Sequence, residues 1–366
     1  MNTASLSPEA KAALARFRAL YVRHPRAERA EQQLLGSLER AIHDRHLTVF
    51  VGPTGVGKTR VLDRLIARFD GEVEDDPSPD RIGAVQVRLE PHGGAYHPAR
   101  LDRLILHGLD EPLIDRKVIL PGDATAHLSY RGTNEARRRA VLNGLRIRRP
   151  RVLAVDEAQH LSYLSGRGIQ QSIDDLKTIV DNSAVPLLFC GSYELLPFTR
   201  LSAQLTRRSE VVAFDRYIGK GSDWGDFLRV LKYIAASASF AFDPLAEEDA
   251  YRLYAGCIGC VGLLVSWVGR ALEHTLGAGR SAIERPDLEA TAWGYGDLRQ
   301  MLAEAQGGES ALRAIAGERA GLYEALGLVK KPARARRPVA GRPGQRKPMR
   351  DVVGGAGEAP SMAADG

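Results

Sequence analysis

Eight consecutive residues, Gly52-Pro53-Thr54-Gly55-Val56-Gly57-Lys58-Thr59, match the spacing G-x-x-x-x-G-K-[ST] in full. The glycines let the backbone curl until successive N–H groups point inward at an anion. Lys58 then reaches the β- and γ-phosphates of a nucleotide, and the Thr59 hydroxyl is a ligand for Mg²⁺. Arg60 follows in a helix whose positive dipole end faces the same anion. Gly52 to Arg60 therefore reads as a cradle for ATP with Mg²⁺.

Three further sets extend this chemistry. The apolar run Val152-Leu153-Ala154-Val155 stops abruptly at Asp156-Glu157. A buried parallel strand of that kind puts both carboxylates at the carboxyl edge of a sheet, beside the glycine loop. Asp156 would hold Mg²⁺ with Thr59, and Glu157 would orient and polarise the attacking water. Leu188-Phe189-Cys190-Gly191-Ser192 is another strand ending in a small polar residue. Ser192 either lies between the acids and the γ-phosphate or simply ends the strand. Gln204-Leu205-Thr206-Arg207-Arg208 precedes a short apolar run. One of this pair, Arg208 for preference over Arg207, is placed to neutralise transition-state charge on a neighbouring subunit's nucleotide; the alternative is a solvated surface pair.

These residues need a scaffold that gathers strand ends. Apolar runs at 47–51, 84–89, 151–155 and 185–190 alternate with helical patterns, such as the stripe Ile169, Ile173, Leu176, Ile179 and Val180. Strands alternating with helices predict an α/β fold with a central parallel sheet covered on both faces. Before it, Ser7-Pro8-Glu9 is a helix start signal, and a second amphipathic helix follows His24-Pro25. From about Tyr217 only helical patterns remain, at 224–236, 247–255, 263–276, 286–293, 298–305 and 310–325. The expected organisation is a helical extension over 1–45, a nucleotide-binding core over 46–216, a smaller all-helical lid with following helices over 217–329, and a disordered tail over 330–366.

The 366 residues are 44% hydrophobic and 26% charged, which excludes wholesale disorder and collagen-like repeats. The formal charge of +6 sits entirely in the tail. Residues 330–350 carry nine Lys or Arg and no acid, and 351–366 add three acids. Removing these from the totals of 51 and 45 leaves 42 of each sign before residue 330. Three cysteines, no long apolar run and no signal-like start make a reducing cytoplasm the expected compartment, with no membrane partner. Cys257-Ile258-Gly259-Cys260 lacks the second ligand pair that a zinc site needs.

Together these motifs resemble an AAA+ P-loop NTPase with a central sheet and a helical lid. Val155-Asp156-Glu157-Ala158-Gln159-His160-Leu161, Asp175-Leu176-Lys177, Leu187 to Ser192, Gln204 to Arg208 and Tyr21-Val22-Arg23-His24-Pro25 resemble the TnsC/TniB-type transposition regulators. MuB and the secretion ATPase ExeA share the pattern more loosely. The resemblance implies slow, regulatory ATP hydrolysis by a ring or filament of identical subunits on double-stranded DNA. It also implies a DDE transposase and a TniQ/TnsD-like target selector as partners. Candidate DNA contacts are Arg116, Lys117 and Arg131, or else Arg137, Arg138, Arg139, Arg146, Arg148 and Arg149. In one respect the chain departs from the wider class: where many lids carry G-x-x-R, it has Gly259-Cys260-Val261-Gly262. An ExeA-like secretion or assembly ATPase and a replication initiator or helicase loader are the competing readings. The first should carry a membrane helix or wall-binding module, the second a winged helix after the lid.

Overall fold

Short runs of β-branched and other apolar residues form five strands: β1 (Leu47–Val51), β2 (Val85–Arg88), β3 (Leu153–Asp156), β4 (Leu187–Gly191) and β5 (Ser209–Ala213). They appear in a computed structural model that describes residues 6–44, 46–74, 78, 80–90, 98–114, 134–161, 178–179, 181–200, 206–237, 247–317 and 319–327. β1, β3 and β4 are buried along their whole length, as strands covered on both faces must be. The strand order is β2-β3-β4-β1-β5, and every pairing is parallel. Val51 lies in register with Gly191 and Ala213, and Arg88 with Asp156. Because all five strands run the same way, the segments leaving β1, β3 and β4 emerge along one edge.

Helices flank this sheet. α1 (Pro8–Ala19) is capped by the Ser7 hydroxyl, which accepts from Ala10 N–H at 3.2 Å. α2 (Pro25–Asp44) and α3 (Lys58–Glu74) bury Leu34, Leu62 and Leu65 in one core, while α4 (Pro98–Gly108) and α5 (Asn134–Arg148) bury Leu101, Ile105 and Val141 in another. After β5 come α6 (Ser222–Ser237), α7 (Glu247–Cys257), α8 (Val261–Gly277), α9 (Arg285–Ala290) and α10 (Tyr295–Gly317). The inner face of α8 is almost wholly apolar and packs on α1. No single described helix is long and apolar enough to cross a membrane. Residues 1–315 group as one compact unit; the second, 316–366, contains α11 (Arg319–Ala325). The stripe at 169–176 and the basic tail lie outside the described residues.

One expectation is corrected. The separate helices expected at 298–305 and 310–325 are replaced by α10, which runs unbroken through Gly307-Gly308. Two adjacent glycines weaken an isolated helix by about 1 kcal/mol each. Here tertiary packing overrides that weakness, because Gly308 lies flat on the Tyr193 ring and any Cβ there would overlap it.

His24 fastens the N-terminal helices to the chain that leaves β5. It stacks on Phe214 and tilts against Tyr217. Ala27 N–H donates to its Nδ1 at 3.4 Å, so Nδ1 is the acceptor and the Tyr217 hydroxyl, 3.0 Å away, donates. Burial, assisted by the positive Arg26, lowers the His24 pKa from 6.5 to about 4. Protonating Nδ1 breaks the Ala27 hydrogen bond, forces the Tyr217 contact to reverse and leaves a charge in a buried, desolvated place. The stabilisation is therefore complete above pH 6.5 and is lost as pH falls toward 4. Between pH 7 and pH 5 the loss should be about 2 kcal/mol. Thermal unfolding of wild type and His24→Asn across that range should converge at the acid end; parallel curves would remove His24 from the pH dependence.

Candidate active site

The loop after β1 is shaped by glycines in the left-handed region, Gly55 at φ 74° and Gly57 at φ 113°. α3 begins at Lys58, so its N-terminal dipole points into the loop. The Lys58 ammonium donates to the carbonyls of Gly52 (2.9 Å) and Pro53 (3.0 Å), folded onto the loop it serves. Burial pulls its pKa below the ordinary lysine range, opposed by Glu157 and Asp156. A phosphate would offer that desolvated cation a better partner than two carbonyls. Thr59 Oγ1 donates to Asp156 Oδ2 at 3.4 Å. This hydroxyl and this carboxylate converge at the base of the loop, a donor set of the hard oxygens that Mg²⁺ takes. When bound, Mg²⁺ would neutralise charge on the phosphates; Thr59 and Asp156 are the residues that would hold it. Arg60 donates to the Arg18 carbonyl and lines the pocket wall without facing the loop's N–H groups.

Glu157 follows Asp156 in an unusual conformation. Its φ is 53°, which for a residue with a side chain costs about 1–2 kcal/mol. Two groups hold its carboxylate: Gln159 Nε2 donates at 2.6 Å, and Arg88, at the end of β2, lies 3.4 Å away. Gln159 Oε1 accepts from Ser192 N–H at 3.2 Å, so one amide joins the ends of β3 and β4. The Ser192 hydroxyl caps the helical turn Tyr193–Leu195, accepting from Glu194 N–H at 3.4 Å. Ser192 thus belongs to the site's edge, but its hydroxyl is engaged in ending the strand. Gln159 and Arg88 carry roles that sequence reasoning gave to neither. The signal for Gln159 was its place two residues beyond Glu157 in a tight turn; Arg88 had none, since register alone sets it beside Asp156.

Arg207 and Arg208 are not brought to this site. They precede β5, whose first residue pairs with Leu47 at the opposite end of β1. A five-residue parallel strand spans about 16 Å, so neither can reach the loop of its own chain. Arg208 is paired with Asp181 at 2.9 Å. Of the proposed DNA contacts, Arg116, Lys117 and Arg131 lie outside the described residues. Arg137 is 8% exposed and donates to Asn134, and Arg138 reaches the buried Asp102 at 3.2 Å. Arg138 thus fastens α5 to α4, Arg137 is buried and bonded within the first turn of α5, and both are withdrawn as phosphate contacts. Arg146 and Arg149 stay exposed.

Beside the loop lies a cavity of about 430 Å³ lined by Tyr21, Val22, His24, Gly57, Phe214 and Gly262. Its far wall is the start of α8, held directly on the loop: Leu263 N–H donates to the Gly55 carbonyl at 2.8 Å. A Cβ on Gly262 would come within 2.5 Å of that carbonyl, so no arginine fits the last place of this G-x-x-G. α8 instead brings Arg270 to the cavity, more than two turns further on, with its guanidinium 3.7 Å over the Trp293 ring. The cysteines serve packing. Burial raises the Cys190 thiol well above its ordinary range, beside Asp156, and pushes Cys260 to about 12. Among the described residues no group of three or more His, Cys, Asp or Glu could hold a metal.

Residues 39–198 match the family model of the AAA domain. That match takes in the glycine loop, both carboxylates and Ser192. No curated protein matches the chain. Among solved structures, it is similar to Cdc6p from Pyrobaculum aerophilum (17% identity, 76% of this chain and 71% of that one, TM-score 0.51). It is equally similar to the Aeropyrum pernix ORC1 protein in complex with DNA (15% identity, 76% and 68%, TM-score 0.51). At these identities the likeness is one of fold: a parallel sheet with its nucleotide loop and a helical lid. As an ATPase, the chain would divide the work among residues at the sheet edge: Lys58 and the loop N–H groups would position phosphates, and Glu157 would hold the attacking water. Glu157→Gln should leave ATP affinity within about threefold and cut turnover at least about a hundredfold. Loss of affinity in parallel with turnover would assign Glu157 to binding.

Proposed function

We propose that the chain is an ATP-controlled, DNA-binding AAA+ ATPase of the initiator and remodelling kind, working as a homo-oligomer on double-stranded DNA. One observation carries this reading. The site assembles lysine, threonine and both carboxylates from one chain, while the arginines suited to transition-state charge lie a strand's length away. A second subunit is the natural source of such an arginine. The fold likeness to ORC1, solved in complex with DNA, supports DNA as the ligand. An oligomer needs few phosphate contacts per subunit, because they repeat along the duplex. The neutral balance of residues 1–329 is therefore compatible with tight binding.

The motif pattern around Asp156, Glu157 and Gln159 and the arginine pair supports a second, finer reading. The same assembly would then link a TniQ/TnsD-like target selector to a DDE transposase. The two readings share the oligomer and differ in the partner.

Electron microscopy with duplex DNA, Mg²⁺ and a nonhydrolysable ATP analogue should show DNA-dependent rings or filaments; monomers under those conditions would reject the assembly. ATP-dependent capture of a purified DDE transposase by the DNA-bound form would select the finer reading, and its absence the broader one.

The donated arginine has its own test. Arg208→Ala and Lys58→Ala should each be inactive alone, yet mixing them should restore part of the turnover. In the mixture a Lys58→Ala subunit offers its intact Arg208 to a neighbour with an intact loop. No recovery from that mixture, or from the same mixture made with Arg207→Ala, would exclude donation in trans.

A further inference from the structure

A second cavity, of about 500 Å³, opens on the other side of the glycine loop. One wall carries Thr54, Gln159 and Ser192, the residues around the γ-phosphate end of the site. The facing wall is α10, with Glu304, Gly308 and Ala311. The C-terminal half of α10 therefore lies across the approach by which a cation from another molecule would reach the γ-phosphate.

This half of α10 depends on packing where it crosses the site, with Leu312 and Ile315 set against the core that holds Tyr193. It passes over the Tyr193 ring on Gly308, and with Gly307 open beside it the pair is the part of the helix least able to sustain itself unaided. Beneath it the Tyr193 hydroxyl is buried with no hydrogen-bond partner, a strain that separation would relieve. Among the described residues, one ion pair fastens it. Arg216, just beyond β5, makes a two-point ion pair with Glu309, Nε to Oε1 at 2.8 Å and Nη2 to Oε2 at 3.4 Å. Both side chains are largely buried. The same guanidinium donates through Nη1 to the Ile258 carbonyl at 3.1 Å. Ile258 lies in the turn that enters α8, and α8 rests on the nucleotide loop through Leu263 and Gly55. The cavity beside the loop is lined by Val261 and Gly262, which follow that turn directly, so a nucleotide held there would press on the turn and on the guanidinium that Glu309 shares.

We propose that residues 305–315 of α10 form a releasable strap, latched by Arg216–Glu309, that covers the face on which a second copy of this chain docks. ATP binding, transmitted through Ile258, unlatches it. The inference rests on the oligomer proposed above. The occupant is a second copy because the site's missing cation, Arg207 or Arg208, sits at the far end of the sheet in its own chain. That arginine-bearing edge would meet the exposed carboxylates of Glu194 and Glu304 at the cavity rim.

Hydrogen–deuterium exchange of the full chain, with and without Mg²⁺ and a nonhydrolysable ATP analogue, tests the strap directly. Exchange over 305–315 should rise about tenfold with nucleotide, and Glu309→Gln should raise it without nucleotide. Unchanged exchange in both would overturn the strap. A second variant locks it. The ideal Cβ of residue 308 lies 2.5 Å from that of Tyr193, so Tyr193→Cys with Gly308→Cys needs a shift of only about 1 Å to reach disulfide geometry. The oxidised protein should bind a fluorescent ATP analogue but not multimerise, and reduction should restore multimers. Equal multimers in both redox states would overturn the strap as a gate. A strap that releases in wild type without multimers in either state would overturn the second copy as occupant, and with it the oligomer reading, while the released strap itself stands.

Discussion

The rest of the structure depends on the contact between the nucleotide loop and the first turn of α8. Gly55 offers its carbonyl to Leu263 N–H, and Gly262 brings the helix backbone closer than any side chain would permit. Because this join is made by main-chain atoms, it has little slack. Movement of the first turn of α8 would therefore be felt directly by the loop. The cavity beside it, the His24 junction and the Arg216 guanidinium all hang from this join.

Charge at the site is arranged by desolvation as much as by pairing. Lys58 is a buried cation whose nearest acceptors are carbonyls, with two carboxylates close by. Glu157 is kept from solvent disorder by Gln159 and Arg88 in a strained backbone conformation. Such a centre would receive an anion with little reorganisation. Gln159 also ties Glu157 to the turn at Ser192, so the geometry of the Glu157 carboxylate is coupled to the end of β4.

The chemistry was largely legible because local motifs produced it. A glycine loop, the apolar run ending in Asp156-Glu157 and the alternation of strands and helices each depend on residues adjacent in the chain. Strand ends were legible to within two residues, since burial on both faces demands unbroken apolar runs. Long-range placements were not legible. Nothing in the chain near residue 88 announces Glu157, nothing near 216 announces Glu309, and Gly307-Gly308 reads as a break until Tyr193 is seen beneath it.

The amino-acid sequence alone therefore determined the fold class, the glycine loop after β1 and the two carboxylates at the end of β3, because these follow from local backbone geometry and from hydrophobic periodicity. Only the tertiary structure decided which hydroxyl is already engaged, which arginines lie beyond reach of their own site, and that Gly262 excludes a lid arginine at its position. Those facts depend on strand register and on close approach between segments hundreds of residues apart. Neither leaves a pattern in either segment taken by itself.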